Sequence, residues 1–111
     1  MTSFHYHSSL VSHQERNMSD ILTVLYATII DRQQNPQPAS YTNSLFSAGG
    51  DEIVKKVGEE AIEVIIAAQG QTDQRLVEET ADLLYHLWVL LAWRGVTPEQ
   101  VLAELEKRHR T

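Results

Sequence analysis

The stretch from Thr72 to Arg94 constrains the fold most. It contains neither glycine nor proline, and Gly95 follows it. Downstream of Asp82, the residues Leu83, Leu84, Leu87, Trp88, Leu90 and Leu91 cover most of the circumference of a helix. A helix that is apolar nearly all round must be buried on several sides, and a single small domain has little material with which to surround it. A second subunit is therefore expected to complete the burial. Upstream on the same helix, Arg75, Glu79, Asp82 and His86 form a row at i, i+3 and i+4 spacing.

The rest of the chain reads as helices punctuated by breakers. From Asp20 to about Gln34, Ile21, Leu22, Leu25 and Ile29 recur at helical spacing, with Ser19-Asp20 as the expected N-cap. The prolines of Asn35-Pro-Gln-Pro-Ala mark a loop, after which Ser40 caps a short helical piece through about Ala48, closed by Gly49-Gly50. The hydroxyls of Ser40, Thr42 and Ser44 stand where that loop can touch a ligand. Asp51 is expected to cap a third helix running to about Gln69. On its wheel Ile53, Val54, Val57, Ala61, Val64, Ile65 and Ala68 fill one arc, and Glu52, Lys56, Glu59, Glu60 and Glu63 the other. One arc is expected to pack and the other to carry charge. Thr97 and Pro98 then start a last helix that ends in Lys107-Arg108-His109-Arg110.

No segment alternates with period two, so the expected fold is all-α, a four-helix-type bundle completed by dimerisation. Residues 1–17 are polar, hold His5, His7 and His13, and are expected to form a disordered extension ahead of a single domain spanning 18–111. Met18 is then a candidate translational start. With 111 residues there is room for one domain.

Nine Lys and Arg against fifteen Asp and Glu give a formal charge of -6, which argues against nonspecific nucleic-acid binding. No cysteine is present, which excludes thiolate metal sites and disulfides and fits a reducing cytoplasm. The longest strongly apolar stretch, Leu83 to Trp93, falls short of the about 20 residues a bilayer requires, so no membrane role is expected.

Two carboxylate pairs, Glu60-x-x-Glu63 and Glu79-x-x-Asp82, lie on consecutive helices joined near Gly70. Residues three apart on a helix share a face, so each pair can chelate together. Counted from the turn, Glu63 and Glu79 sit at a similar height, roughly 10 Å from it at 1.5 Å rise per residue. The alternative is a solvated acidic stripe. Two features weigh against it: like charges at this spacing repel unless something neutralises them, and Asp82 opens the buried stretch. Oxygen donors without Cys, and with no His inside either pair, suit Mg²⁺ or Mn²⁺ better than Zn²⁺. Lys56 can reach a phosphate or pair with the neighbouring glutamates, and Lys55 is less well placed. His86 reads most simply as a hydrogen-bonded residue of a mostly apolar helix.

With these residues in view, the chain resembles the phosphoribosyl-ATP pyrophosphatases, within the MazG-like group of all-α nucleoside triphosphate pyrophosphatases. The resemblance spans about residues 20–109. It rests on Ser40-Tyr41-Thr42-x-x-Leu45, on Lys55-Lys56-Val57-Gly58-Glu59-Glu60-Ala61-x-Glu63-Val64, and on Glu79-x-Ala81-Asp82-Leu83-Leu84-Tyr85-His86-Leu87. Arg94-Gly95-Val96 and Val101-Leu102-x-Glu104-Leu105 add to it. The resemblance implies Mg²⁺-dependent hydrolysis of phosphoribosyl-ATP to phosphoribosyl-AMP and pyrophosphate, the second step of histidine biosynthesis. It also implies Glu60, Glu63, Glu79 and Asp82 as metal ligands, which makes Glu59 the candidate for orienting water, with Glu60 as the alternative for that role; Lys56 and Lys55, one turn before the first pair, are expected to bind the substrate's phosphates. A homodimer or higher homo-oligomer is expected. Two other readings remain at this stage: a housecleaning pyrophosphatase for other nucleotides, and a helical dimerisation module without chemistry.

Overall fold

The computed structural model describes the backbone of residues 10–109 and the side chains of residues 21–109. Five helices and no strand occur among the described residues: α1 (Leu10–Gln34), α2 (Tyr41–Ala48), α3 (Gly50–Gly70), α4 (Asp73–Arg94) and α5 (Pro98–His109). The all-α expectation holds.

Several boundaries follow from single residues. Ser40 accepts a hydrogen bond from the Asn43 amide and caps α2, and Thr72 does the same for the Arg75 amide at the start of α4. Gly95 takes a left-handed φ of 72° after α4. Its amide bonds to the Ala92 carbonyl at 3.2 Å, and the Val96 amide bonds to the Leu91 carbonyl at 2.9 Å. This paired arrangement is a Schellman motif, which satisfies carbonyls that would otherwise lack partners.

Two expected starts need correction. The α3 N-cap is Gly49, whose carbonyl accepts from the Ile53 amide at 3.1 Å, and Asp51 lies inside the first turn. Helix α1 begins at Leu10 rather than near Asp20. No glycine or proline lies between Leu10 and Asp20, and Ser19-Asp20 at mid-helix does not outweigh the continuing backbone ladder. His5 and His7 lie outside the described residues.

Helices α3 and α4 form an antiparallel hairpin across residues 71–72, and theirs is the most extensive contact among the described residues. Helix α1 lies against α4, α2 bridges α1 and α3, and α5 touches α1. The core comprises Ile29, Leu45, Ile53, Trp88, Val89 and Ala92, with Leu22, Leu25, Tyr26 and Phe46 packed around it. Burial of each large apolar side chain there contributes about 1.5–3 kcal/mol relative to exposure. Two long-range hydrogen bonds fix α1: the Trp88 indole N–H donates to the Leu22 carbonyl at 3.1 Å, and the Tyr26 hydroxyl donates to the Val96 carbonyl at 2.9 Å. Gly50 lets the Trp93 ring approach closely, since a Cβ there would collide with it.

The packing seam of α3 does not follow its polarity. Ile53 and Ala67 are buried and Val57, Glu60 and Val64 partly so, giving a row at alternating three- and four-residue steps. Val54 and Ile65, expected to pack, are more than half exposed, whereas the Glu60 side chain is only 13% exposed. The partner helix sets the seam, and α4 presents Glu79 and His86, both buried, along its side of the hairpin. The outer side of the hairpin leaves Ile62, Ile65, Ile66, Val77 and Leu84 in solvent.

Candidate active site

At the middle of the hairpin, one carboxylate oxygen from each of Glu60, Glu79 and Asp82 comes within 4.8 Å of the other two. The α3 seam supplies the first, and successive turns of α4 supply the others. Three like charges this close require compensation. Lys56 Nζ provides part of it, 3.7 Å from Glu60 and 3.5 Å from Glu59. Arg75 adds to it, paired with Glu79 through one guanidinium nitrogen and with Glu78 through the other, so that two shared cations leave the three carboxylates with an excess of negative charge. The donor set fits a hard divalent cation: all three groups are carboxylates, two are shielded from water, and their oxygens converge.

Glu63 is not among the three. It is exposed, and at 3.6 residues per turn it lies about 60° around the helix from Glu60, on the flank of the seam. Glu59 is farther round, its side chain 48% exposed and paired with both lysines. Lys55 reaches only Glu52 at 3.8 Å and Glu59 at 4.0 Å, away from the cluster. Lys56 is the inward lysine, 25% exposed against 62% for Lys55. Burial alone would lower the pKa of its ammonium, but Tyr41, Glu59 and Glu60 outweigh that and hold it above the ordinary lysine value. For Arg75, the Glu78 hydrogen bond and the Glu79 charge raise the pKa further.

One part of the site escaped the periodicity argument. The Ser40–Thr42 segment is fastened to α4 directly after the carboxylates. Tyr41 Oη lies 2.9 Å from His86 Nε2, the Thr42 and Tyr85 hydroxyls are hydrogen bonded, and His86 Nδ1 is 2.7 Å from the Asp82 carbonyl oxygen. The imidazole stands edge-on to both tyrosines, with centroids 5.7 Å from Tyr41 and 4.9 Å from Tyr85. Burial raises the pKa of the Tyr85 phenol, against the opposing effect of its bond with Thr42. The sequence signal was the Ser-Tyr-Thr run itself, but which helix it meets is a tertiary fact.

The approach to this segment is held by Asn43, whose Oδ1 accepts from the Gln37 amide at 2.6 Å and whose Nδ2 donates to the Arg32 carbonyl at 2.5 Å. Ala39 is thereby kept at a φ of 65°, a conformation unusual for a residue with a Cβ. An open groove of about 480 Å³ runs along Gln37, Ala39, Ser40, Tyr41, Asn43 and Ser44.

A five-helix fold whose central hairpin gathers facing carboxylates is that of the MazG-like all-α group. Within that class, residues 22–109 match the family described as phosphoribosyl-ATP pyrophosphohydrolase, and the chain belongs to that family. A phosphoribosyl-ATP pyrophosphatase of Pelotomaculum thermopropionicum is 56% identical over 89 residues, covering 80% of this chain and 91% of the relative. One from Bacillus thuringiensis is 47% identical over 92 residues, covering 83% and 86%.

Proposed function

We propose that this protein hydrolyses phosphoribosyl-ATP to phosphoribosyl-AMP and pyrophosphate, the second step of histidine biosynthesis, with Mg²⁺ as cofactor and Mn²⁺ as a substitute. One observation carries the reading: in a member of this family, Glu60, Glu79 and Asp82 converge beside an inward-facing lysine. Glu60, Glu79 and Asp82 would hold the cation, and Glu63 would join them by a side-chain rotation from the flank of the seam. A bound divalent cation supplies charge neutralisation to the polyphosphate and makes water more acidic.

The remaining steps belong to this chain's own groups. Lys56, kept charged by its acidic neighbours, offsets the negative charge that grows on the departing pyrophosphate. Glu59, exposed at the rim, orients a water molecule and accepts its proton as the water oxygen bonds to phosphorus. The bridging P–O bond between the α and β phosphates breaks, and its electron pair leaves with pyrophosphate. Lys55, farther out, adds to the positive potential that guides the substrate in.

The exposed apolar side of the α3–α4 hairpin supports a homodimer, since Ile62, Ile65, Ile66, Val77 and Leu84 together leave a surface that a second copy would cover. Purified protein assayed with phosphoribosyl-ATP against a panel of nucleoside triphosphates, following pyrophosphate release, tests the activity. Preference for phosphoribosyl-ATP is expected. Equal or better turnover of a plain triphosphate would instead favour a housecleaning role, and no hydrolysis of any nucleotide with Mg²⁺ would favour a non-catalytic helical module.

A further inference from the structure

We propose that His86 is a positioning residue that holds the Tyr41 hydroxyl with its proton turned inward, so that Tyr41 serves the site as a hydrogen-bond acceptor for a hydroxyl or amino group of the substrate. This rests on the activity proposed above, since it assigns a specificity role within the same site.

His86 is buried, and its Nδ1 lies 2.7 Å from the backbone oxygen of Asp82. A carbonyl oxygen can only accept, so Nδ1 carries the proton. In the neutral imidazole Nε2 is then an acceptor, and its neighbour at 2.9 Å is the Tyr41 hydroxyl. Tyr41 therefore donates to His86. The edge-on contacts of the imidazole with Tyr41 and Tyr85, at interplanar angles of 78° and 86°, oppose rotation of the ring. A second tie, between Thr42 and Tyr85, holds the same backbone segment against the same helix.

With its proton committed, the half-exposed Tyr41 has only lone pairs left to offer. Phosphate oxygens are acceptors and gain nothing from it. Ribose hydroxyls and amino groups are donors and do. The groove that Tyr41 lines contains amide and hydroxyl side chains and no charged one, while on the hairpin side Tyr41 stands near the Lys56 ammonium. Phosphates are thus assigned to the carboxylates and Lys56, and the nucleoside part to the uncharged groove that runs on from Tyr41.

Nitrogen-detected NMR of the histidine ring at about pH 8.5, well above the ordinary histidine pKa of about 6.5, reads the tautomer without reference to activity. The Nδ1–H form is expected for His86, and the Nε2–H form overturns the inference. Tyr41→Phe should raise KM about tenfold while kcat stays within about threefold and calorimetric Mg²⁺ affinity is unchanged, the size of one lost hydrogen bond. An unaltered KM overturns it. His86→Gln retains an acceptor and should preserve most of the affinity, whereas His86→Phe should match Tyr41→Phe. The double variant Tyr41→Phe/His86→Phe should be no worse than either alone, and full additivity would count against the coupling.

Comparing the Tyr41→Phe penalty on ATP binding with that on phosphoribosyl-ATP locates the donor. A shared penalty places it on the adenosine part, a penalty confined to phosphoribosyl-ATP places it on the added ribose, and no penalty on either overturns the assignment. If wild-type protein released no pyrophosphate from phosphoribosyl-ATP, the proposed activity would fall, while the tautomer and the ATP titration would still decide this inference. If His86→Phe failed to fold, Tyr41→Phe and the tautomer would suffice.

Discussion

Glu60 and Glu63 stand three residues apart on one helix and meet different surroundings. Glu60 is on the seam, nearly enclosed, with Glu79 and Asp82 opposite, while Glu63 faces water on the flank. Substitutions should therefore be graded. Glu60→Gln, Glu79→Gln and Asp82→Asn are each expected to lower kcat at least about a hundredfold in Mg²⁺, in line with the loss of electrostatic stabilisation of a transition state. Glu63→Gln is expected to cost nearer tenfold and to be partly recovered at high Mg²⁺. Steady-state kinetics across a Mg²⁺ titration, with circular dichroism as the control for folding, separates the two classes; equal losses at Glu63 and Asp82 would contradict the grading. The spacing of the four carboxylates was legible because helical periodicity places residues three apart on a shared side. That Glu63 turns outward was not, because a 60° difference is decided by how the helices are rotated against each other.

Element boundaries were legible wherever a single residue does the capping. Ser40, Thr72 and Gly95 each act within four residues of their own position, so the local sequence contains the cause. The start of α1 was not, since Ser19-Asp20 has capping chemistry yet lies inside a continuous ladder. Polarity also misjudged the inward side of α3, for a wheel sorts residues by affinity for water while the seam is set by what the opposing helix presents. At this scale Gly95→Ala is a clean test. The left-handed φ of 72° costs a residue with a Cβ about 1–2 kcal/mol, and an added Cβ would meet nothing within 4 Å. Chemical denaturation should show that loss with kcat and KM unchanged, because α4 keeps its register at Glu79 and Asp82. An equal stability for Gly95→Ala would mean that the turn relaxes freely.

For the whole molecule, the open question posed by the sequence was what surrounds α4. Helix α1 covers one side and α3 another, yet Leu84 remains 40% exposed and Ile65 and Ile66 of α3 remain in water. Ile65→Glu, at a side chain already 55% exposed in one copy, should leave the isolated fold intact and shift light-scattering mass toward the monomer. A variant that kept the wild-type mass would place the contact between copies elsewhere. No helix among the described residues is long and apolar enough to cross a membrane, in agreement with the short Leu83–Trp93 run.

The two-residue connection between α3 and α4 bears on how quickly the chain finds its native state. Glu60, Glu79 and Asp82 all fall within residues 60–82, so the cluster closes a short loop and its formation belongs to the fast, local phase of folding. The same closure drives carboxylates together before α1 and α2 have docked. Repulsion among them then opposes the nascent hairpin, and Arg75 and Lys56, each one turn before the carboxylate it pairs with, offset part of it. Mg²⁺ should therefore accelerate refolding in stopped-flow experiments, not merely slow unfolding, and Asp82→Asn should refold faster than wild type when the cation is left out.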